Sequence, residues 1–171
     1  MNNRLRMEVD RVSQVEFKKA LGNYPTGVTV ITAFDEQNNP MGLTVNSFAS
    51  VSIDPLLILW SIDKKSGSYD AFLKVNKFAV NILADDQADL CGLFASKVED
   101  RFSQCTWEKT ERELPVFPGA LSQLECEVDK TIDAGDHIIF IGKVIHILNE
   151  DKNPLLYHRR KFGAIPETFY K

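Results

Sequence analysis

Short connections between β-rich segments constrain this chain's fold more than any other feature. Residues 28–34, 42–50, 56–62, 77–83, 120–131, 137–148 and a short stretch at 162–165 are rich in β-branched and aromatic residues. The links at 35–40, 53–55 and 133–136 are turns, too short to hold a crossover helix. Parallel βαβ winding is therefore disfavoured. The pattern predicts a mainly β chain with helical insertions, folded as a Greek-key-like antiparallel barrel of six or seven strands.

Helical spacing marks three insertions among these strands. Ser13-Gln-Val-Glu16 is a capping box, with Val12 and Phe17 placed as a staple across it. The helix it opens is expected to run to about Leu21, with Gly22 at C′ and a buried stripe of Phe17, Ala20, Leu21 and Tyr24. A short helix follows residues 63–68 and ends near Val75. A third helix, residues 87–95 with Asp86 as N-cap, keeps Leu90, Leu93 and Phe94 at helical spacing, and residues 98–102 read as a further turn. Residues 56–62 are apolar enough to be buried on both faces. Residues 103–118, with two prolines, read as a connector rather than a lid.

A chain of 171 residues without a linker or repeat is expected to form one domain, with its core at about 14–166. Its net charge of −4 gives no nucleic-acid footprint. No apolar run is long enough to span a bilayer, and the first residues do not read as a secretory signal. Cys91, Cys105 and Cys126 are odd in number and lack C-x-x-C spacing, so a cytoplasmic setting and buried thiols are expected. Cys/His spacing provides no metal site.

Chemistry concentrates in a few places. Thr44, Asn46, Ser47 and Ser50 put small polar side chains on a strand where Val or Ile would be usual, which suits either a polar ligand or a wet edge. Ser50 is expected to be a turn residue. Lys64 and Lys65 precede Ser66-Gly67-Ser68 at a helix start, a candidate phosphate seat through free backbone N–H groups. Arg101 is a second candidate phosphate cation, with Glu99 or Asp100 as alternative surface partners. His137 begins a strand just after the Gly135-Asp136 turn. Glycine-rich nucleotide fingerprints and nucleophile elbows are absent from the sequence. A phosphorylated aromatic cofactor accounts for both the polar strand and the phosphate seat, and at this level flavin and pyridoxal phosphate fit equally.

Six segments in order carry a resemblance. Pro25-Thr-Gly-Val-Thr-Val-Ile-Thr32, Gly42-Leu-Thr-Val-Asn-Ser-Phe48, Val51-Ser-Ile-Asp-Pro55, Phe78-Ala-Val-Asn-Ile-Leu83, Gly135-Asp-His137 and Pro154-Leu-Leu-Tyr157 resemble the motifs of the flavin reductase-like family. The resemblance implies an FMN-binding split barrel, usually a homodimer, that uses NADH or NADPH to reduce FMN or FAD for a separate oxygenase. By position, it implies that Pro25, Thr26, Gly27 and Val28 border the flavin ring, and that Thr44, Val45, Asn46 and Ser47 hold the ribityl chain and phosphate. Ser61, Asp63, Lys65 and Ser66 match a second phosphate-side loop, while Phe94, Ala95 and Arg101 match a flavin-covering helix. His137 matches a histidine that positions nicotinamide without acting as an essential acid or base. One departure is plain: Arg160 stands where the family usually has glycine, inside the basic run His158-Arg-Arg-Lys161. The wider fold leaves three other readings: ferric or cobalamin reduction through the same flavin, a flavin- or haem-binding carrier or sensor, and a pyridoxamine-phosphate-oxidase-like protein.

Overall fold

The structure, a computed structural model, describes residues 13–171. Its centre is a seven-stranded antiparallel sheet of β2 (Thr29–Phe34), β3 (Pro40–Val45), β4 (Ala49–Ile53), β5 (Leu56–Asp63), β6 (Lys77–Ile82), β9 (Ser122–Ala134) and β10 (His137–Asn149). The order across the sheet is β3-β2-β6-β9-β10-β5-β4. The two edge strands, β3 and β4, are consecutive in sequence. Only Asn46, Ser47 and Phe48 separate them, so the sheet must curl until its edges meet. Ser47 stitches that seam: its Oγ accepts from the Ser61 N–H at 2.9 Å and donates to the Ser61 carbonyl at 3.2 Å.

Period-two alternation divides the buried residues between two cores. Ile31, Ile58, Trp60, Ile62, Phe78, Val80 and Phe140 fill the barrel, where Trp60 stacks on Phe140 at 4.6 Å. Val30, on the other face of β2, and Val28 just before it pack outward against α3 (Ala88–Ala95), Phe102 and Phe117. Two glycines mark close approaches, Gly42 of β3 to α3 and Gly142 of β10 to a side chain of β6. A Cβ on Gly42 would lie 3.0 Å from the Phe94 ring, and one on Gly142 would lie 2.5 Å from Phe78. Gly142 also sits at a register shift in the β9–β10 ladder, where the strand bends.

Several expectations need correction. The stretch at 42–50 is not one strand: pairing stops after Val45 and resumes at Ala49, and Ser50 pairs with Ile58 instead of turning. In β5, Ile58, Trp60 and Ile62 are buried, but Leu56 is exposed and Leu57 and Leu59 are half-buried, so the strand is not buried on both faces. Helix α1 (Gln14–Gly22) has the expected capping box, but Gly22 is its last helical residue and Asn23, in a right-handed conformation, caps it. Val12, half of the expected staple, lies outside the described residues. No residue of α1 is buried, and Phe17, Leu21 and Tyr24 lie in solvent. Helix α3 begins at Ala88 after Gln87, not Asp86. Gln87 accepts from the Ala84 N–H and donates to the Pro118 carbonyl.

The second helix shrinks to α2 (Tyr69–Phe72), and residues 98–100 are not helical before the 3-10 turn at Arg101–Gln104. The connector at 103–118 contains a small hairpin, β7 (Glu108–Lys109) with β8 (Pro115–Val116), tied down by buried polar groups. Asn81 donates to Val30 O and Thr32 Oγ1 and accepts from the Phe117 N–H, so its amide is satisfied in the interior. The chain closes with β11 (Leu156–His158) and β12 (Lys161–Gly163), which join β1 (Thr26–Gly27) in a three-stranded sheet.

Candidate functional site

Three junctions, two made by hydroxyls and one by strand pairing, bring separated segments to one rim of the barrel. Thr29 Oγ1 donates to the Val45 carbonyl at 3.0 Å, fixing residues 26–28 beside the end of β3. The Ser47–Ser61 exchange carries that rim on to β5. His137 is then paired with Asp63 in the β5–β10 ladder, and the Lys64 N–H donates to Asp136 O at 2.9 Å. The rim thus runs from Thr26 through Ser47 and Ser61 to His137.

A cleft of about 1000 Å³ opens between α1 and this rim. Thr26, Asn46 and Ser47 line one side; Lys18, Lys19 and Arg160 contribute cations around it. Thr26 Oγ1 is buried and has no hydrogen-bond partner among the described residues, an arrangement that costs about 1–3 kcal/mol unless a ligand or water completes it. An unpaired hydroxyl beside Asn46 is what the polar chain of a flavin nucleotide requires. The residues present therefore fit a flavin nucleotide.

The phosphate-side loop differs from its expected form. Asp63 folds it, accepting from the Lys65 N–H at 2.7 Å through Oδ1 and from the Ser66 N–H at 2.9 Å through its carbonyl. Ser66 in turn takes the Ser68 and Tyr69 N–H groups. Most of the backbone donors expected to be free are thus already used, and α2 is too short to supply an anion site. The Lys65 ammonium and the hydroxyls of Ser66 and Ser68 remain as the loop's contribution. Lys64 is drawn away to the Asp133 carboxylate and Gly135 O.

His137 Nδ1 lies 2.7 Å from Asp136 Oδ1, and this hydrogen bond holds the Asp136 carboxyl below its usual range. With Nδ1 carrying the hydrogen, the ring is oriented and Nε2 has no partner among the described residues.

Ser61, Asp63, Lys65, Ser66 and His137 belong to the rim and do not line the cleft, and, Thr26, Asn46 and Ser47 apart, neither do the other site residues implied by the resemblance. Val45 and Phe94 are buried, with Phe94 packed on Phe102 and Phe117 at ring distances of 5.0 Å. Arg101 donates to Phe94 O and sits 5.5 Å over the Phe94 ring; it pairs with neither Glu99 nor Asp100 among the described residues. Burial lowers the Arg101 pKa from the usual guanidinium value. Thr44 Oγ1 donates to Cys91 O at 2.8 Å, joining α3 to β3. Ala95 is exposed on α3, and Pro25 and Gly27 are exposed where β1 begins and ends. Lys18, Lys19 and Tyr157 were not singled out from the sequence. A solvated lysine face and a strand tyrosine have the same local pattern whether or not a cleft lies beside them.

Comparison with known proteins decides the lineage. A family model described as flavin reductase like domain matches residues 21–166. The chain belongs to the flavin reductase-like family. It is 42% identical over 153 residues to the reductase component of the flavin-dependent trigonelline monooxygenase of Acinetobacter baylyi, covering 89% of this chain and 49% of that protein. It is also 42% identical over 147 residues to the FMN reductase (NADH) SmoA of Agrobacterium fabrum, covering 86% of this chain and 83% of SmoA. The NADH:FAD oxidoreductase SgcE6 of Streptomyces globisporus C-1027, solved in complex with NAD and FAD fragments, superposes with a TM-score of 0.86 at 31% identity, covering 91% of this chain and 94% of that one. The chain therefore has the split-barrel fold of these reductases, while spanning about half the length of the Acinetobacter relative.

Proposed function

We propose that this chain is an NAD(P)H-dependent flavin reductase that passes reduced FMN or FAD to a separate monooxygenase. The carrying observation is the cleft itself, where the unpaired Thr26 hydroxyl and Asn46 meet a rim that ends at His137. Reduced nicotinamide supplies a hydride that the flavin ring accepts, chemistry that needs aligned rings more than a protein acid or base. Thr26 and Asn46 offer side-chain hydrogen bonds to the polar part of a flavin, and Lys65 with Ser66 offers a charged seat for its phosphate. His137, fixed by Asp136, sits at the rim to position a nicotinamide. Supply to an oxygenase is suggested by relatives named as reductase components of flavin-dependent monooxygenases.

A homodimer is the assembly we favour. Helix α1 presents Val15, Phe17 and Leu21 to solvent and Tyr24 follows it, with Val15 76% and Tyr24 74% exposed; Val15, Leu21 and Tyr24 also border the cleft, while Phe17 does not. Ile53 and Leu56 add apolar surface at the β4–β5 hairpin. Surface of this kind is stabilised by a second copy that covers it.

The test is anaerobic and aerobic oxidation of NADH and NADPH by the purified chain, with and without added FMN or FAD. Flavin-dependent oxidation supports the reductase. Tight flavin or haem binding without turnover would replace it by a carrier or sensor. Turnover only with a ferric chelate or cobalamin present would assign that acceptor instead.

A further inference from the structure

The cleft holds more positive charge than one flavin phosphate needs. Lys18, Lys19, Arg159 and Arg160 all line it, and none has a carboxylate partner among the described residues. In a chain of net charge −4, unpaired cations facing one cavity create a local field that favours an anion. The Lys65–Ser66 loop, on another part of the rim, already provides for a phosphomonoester.

The way the arginines are held points the same way. Arg159 and Arg160 form the two-residue turn between β11 and β12, with φ of 48° and 64°. Both are left-handed positions where Asn-Gly is the undemanding choice. Arg159 anchors the turn to α1, donating from its backbone N–H to Gly22 O and from Nε to Asn23 Oδ1 at 2.9 Å. That leaves the Arg160 guanidinium on the cleft wall, and no hydrogen bond holds it to the protein among the described residues.

Resting on the reductase reading, we propose that Arg160, with Lys18 and Lys19, forms a second anion seat for a phosphate on the adenylate half of a dinucleotide. Two sources share that chemistry. One is the pyrophosphate common to FAD, NADH and NADPH; the other is the ribose 2′-phosphate of NADPH alone.

Calorimetric titration of the full chain with FMN, ADP and 2′,5′-ADP tests the seat without any turnover. Arg160→Gly removes the guanidinium and accepts the left-handed backbone without strain, so the variant folds. It is expected to weaken binding of an adenylate probe about tenfold, the loss typical of one charge-assisted hydrogen bond, and to leave FMN unchanged. Arg160→Lys restores part of the loss, and added salt weakens the adenylate probes in the wild type more than in Arg160→Gly. Equal loss for ADP and 2′,5′-ADP assigns the 5′-phosphate they share, the adenosine-side half of the dinucleotide pyrophosphate; loss confined to ADP assigns its outer phosphate, and loss confined to 2′,5′-ADP assigns the 2′-phosphate. The seat is overturned if no probe weakens, if FMN weakens equally, or if the wild type binds neither adenylate probe. Failure of the reductase reading is read separately, as a wild type that oxidises neither nicotinamide in the presence of flavin.

Discussion

Ser47 shows how one hydroxyl serves both fold and cleft. Its Oγ makes two hydrogen bonds from the link between β3 and β4 to Ser61 of β5, while the residue also lines the cleft. Ser47→Ala leaves a part-buried N–H and carbonyl without their partner, and is expected to cost about 1–3 kcal/mol of stability. Thermal unfolding should show a lower midpoint, and a flavin titration should show weakened binding because the rim is no longer pinned. An unchanged midpoint would mean that water replaces the hydroxyl and that the seam does not depend on it.

His137 belongs to the same scale but has a different role. Its ring is oriented by Asp136 and contributes nothing to either core. His137→Ala is expected to raise KM for the nicotinamide while flavin affinity stays near the wild-type value. Loss of flavin affinity with unchanged KM for NADH would move His137 to the flavin side of the site.

At the scale of elements, α1 is the part whose stability depends most on local chemistry. It buries no residue, so its capping box carries unusual weight. The Ser13 hydroxyl and backbone N–H hold the Glu16 carboxyl below its ordinary pKa. A depressed carboxylate stabilises the folded helix above the unfolded pKa, and the contribution disappears as pH falls through the folded value. Helix α1 should therefore lose hydrogen-exchange protection below about pH 4, before the barrel strands do. Ser13→Ala should produce the same local loss at neutral pH, at a cost of about 1 kcal/mol, because the N-terminal amides lose their acceptor. Since Lys18 and Lys19 ride on this helix, the adenylate probes should weaken with it. Uniform exchange across α1 and the sheet would show instead that the helix is held by contacts beyond its cap.

At the scale of the whole molecule, solvent-facing apolar side chains predict assembly. Sedimentation should give twice the chain mass, and a charge placed at Leu21 or Ile53 should shift the equilibrium toward monomer. A wild type that sediments as a monomer would show that these side chains tolerate water.

Local pattern carried most of the architecture. Alternating β-branched residues and short turns specify antiparallel pairing, because register and face follow from a period of two. The order of six motifs was enough to indicate the family. The phosphate-side loop, the polar segment near Asn46 and His137 were visible as residue types, because hydroxyls and amides are rare in buried strands. Which of them face the cleft was not visible. Thr44 and Ser47 belong to the same polar stretch, yet one hydroxyl ties down α3 and the other closes the barrel seam. Phe94 and Arg101 likewise look the same in sequence whether they cover a ligand or pack together, as they do. The amphipathic stripe of α1 predicted burial, but periodicity cannot name the surface that buries it, and the single chain does not supply one. Tertiary structure alone decided that the Arg159–Arg160 turn, more than 130 residues away in sequence, lies beside Asn23 and Lys19. Sequence spacing fixes how a segment folds on itself, but distance across the barrel depends on every strand between, and only the closed sheet determines it.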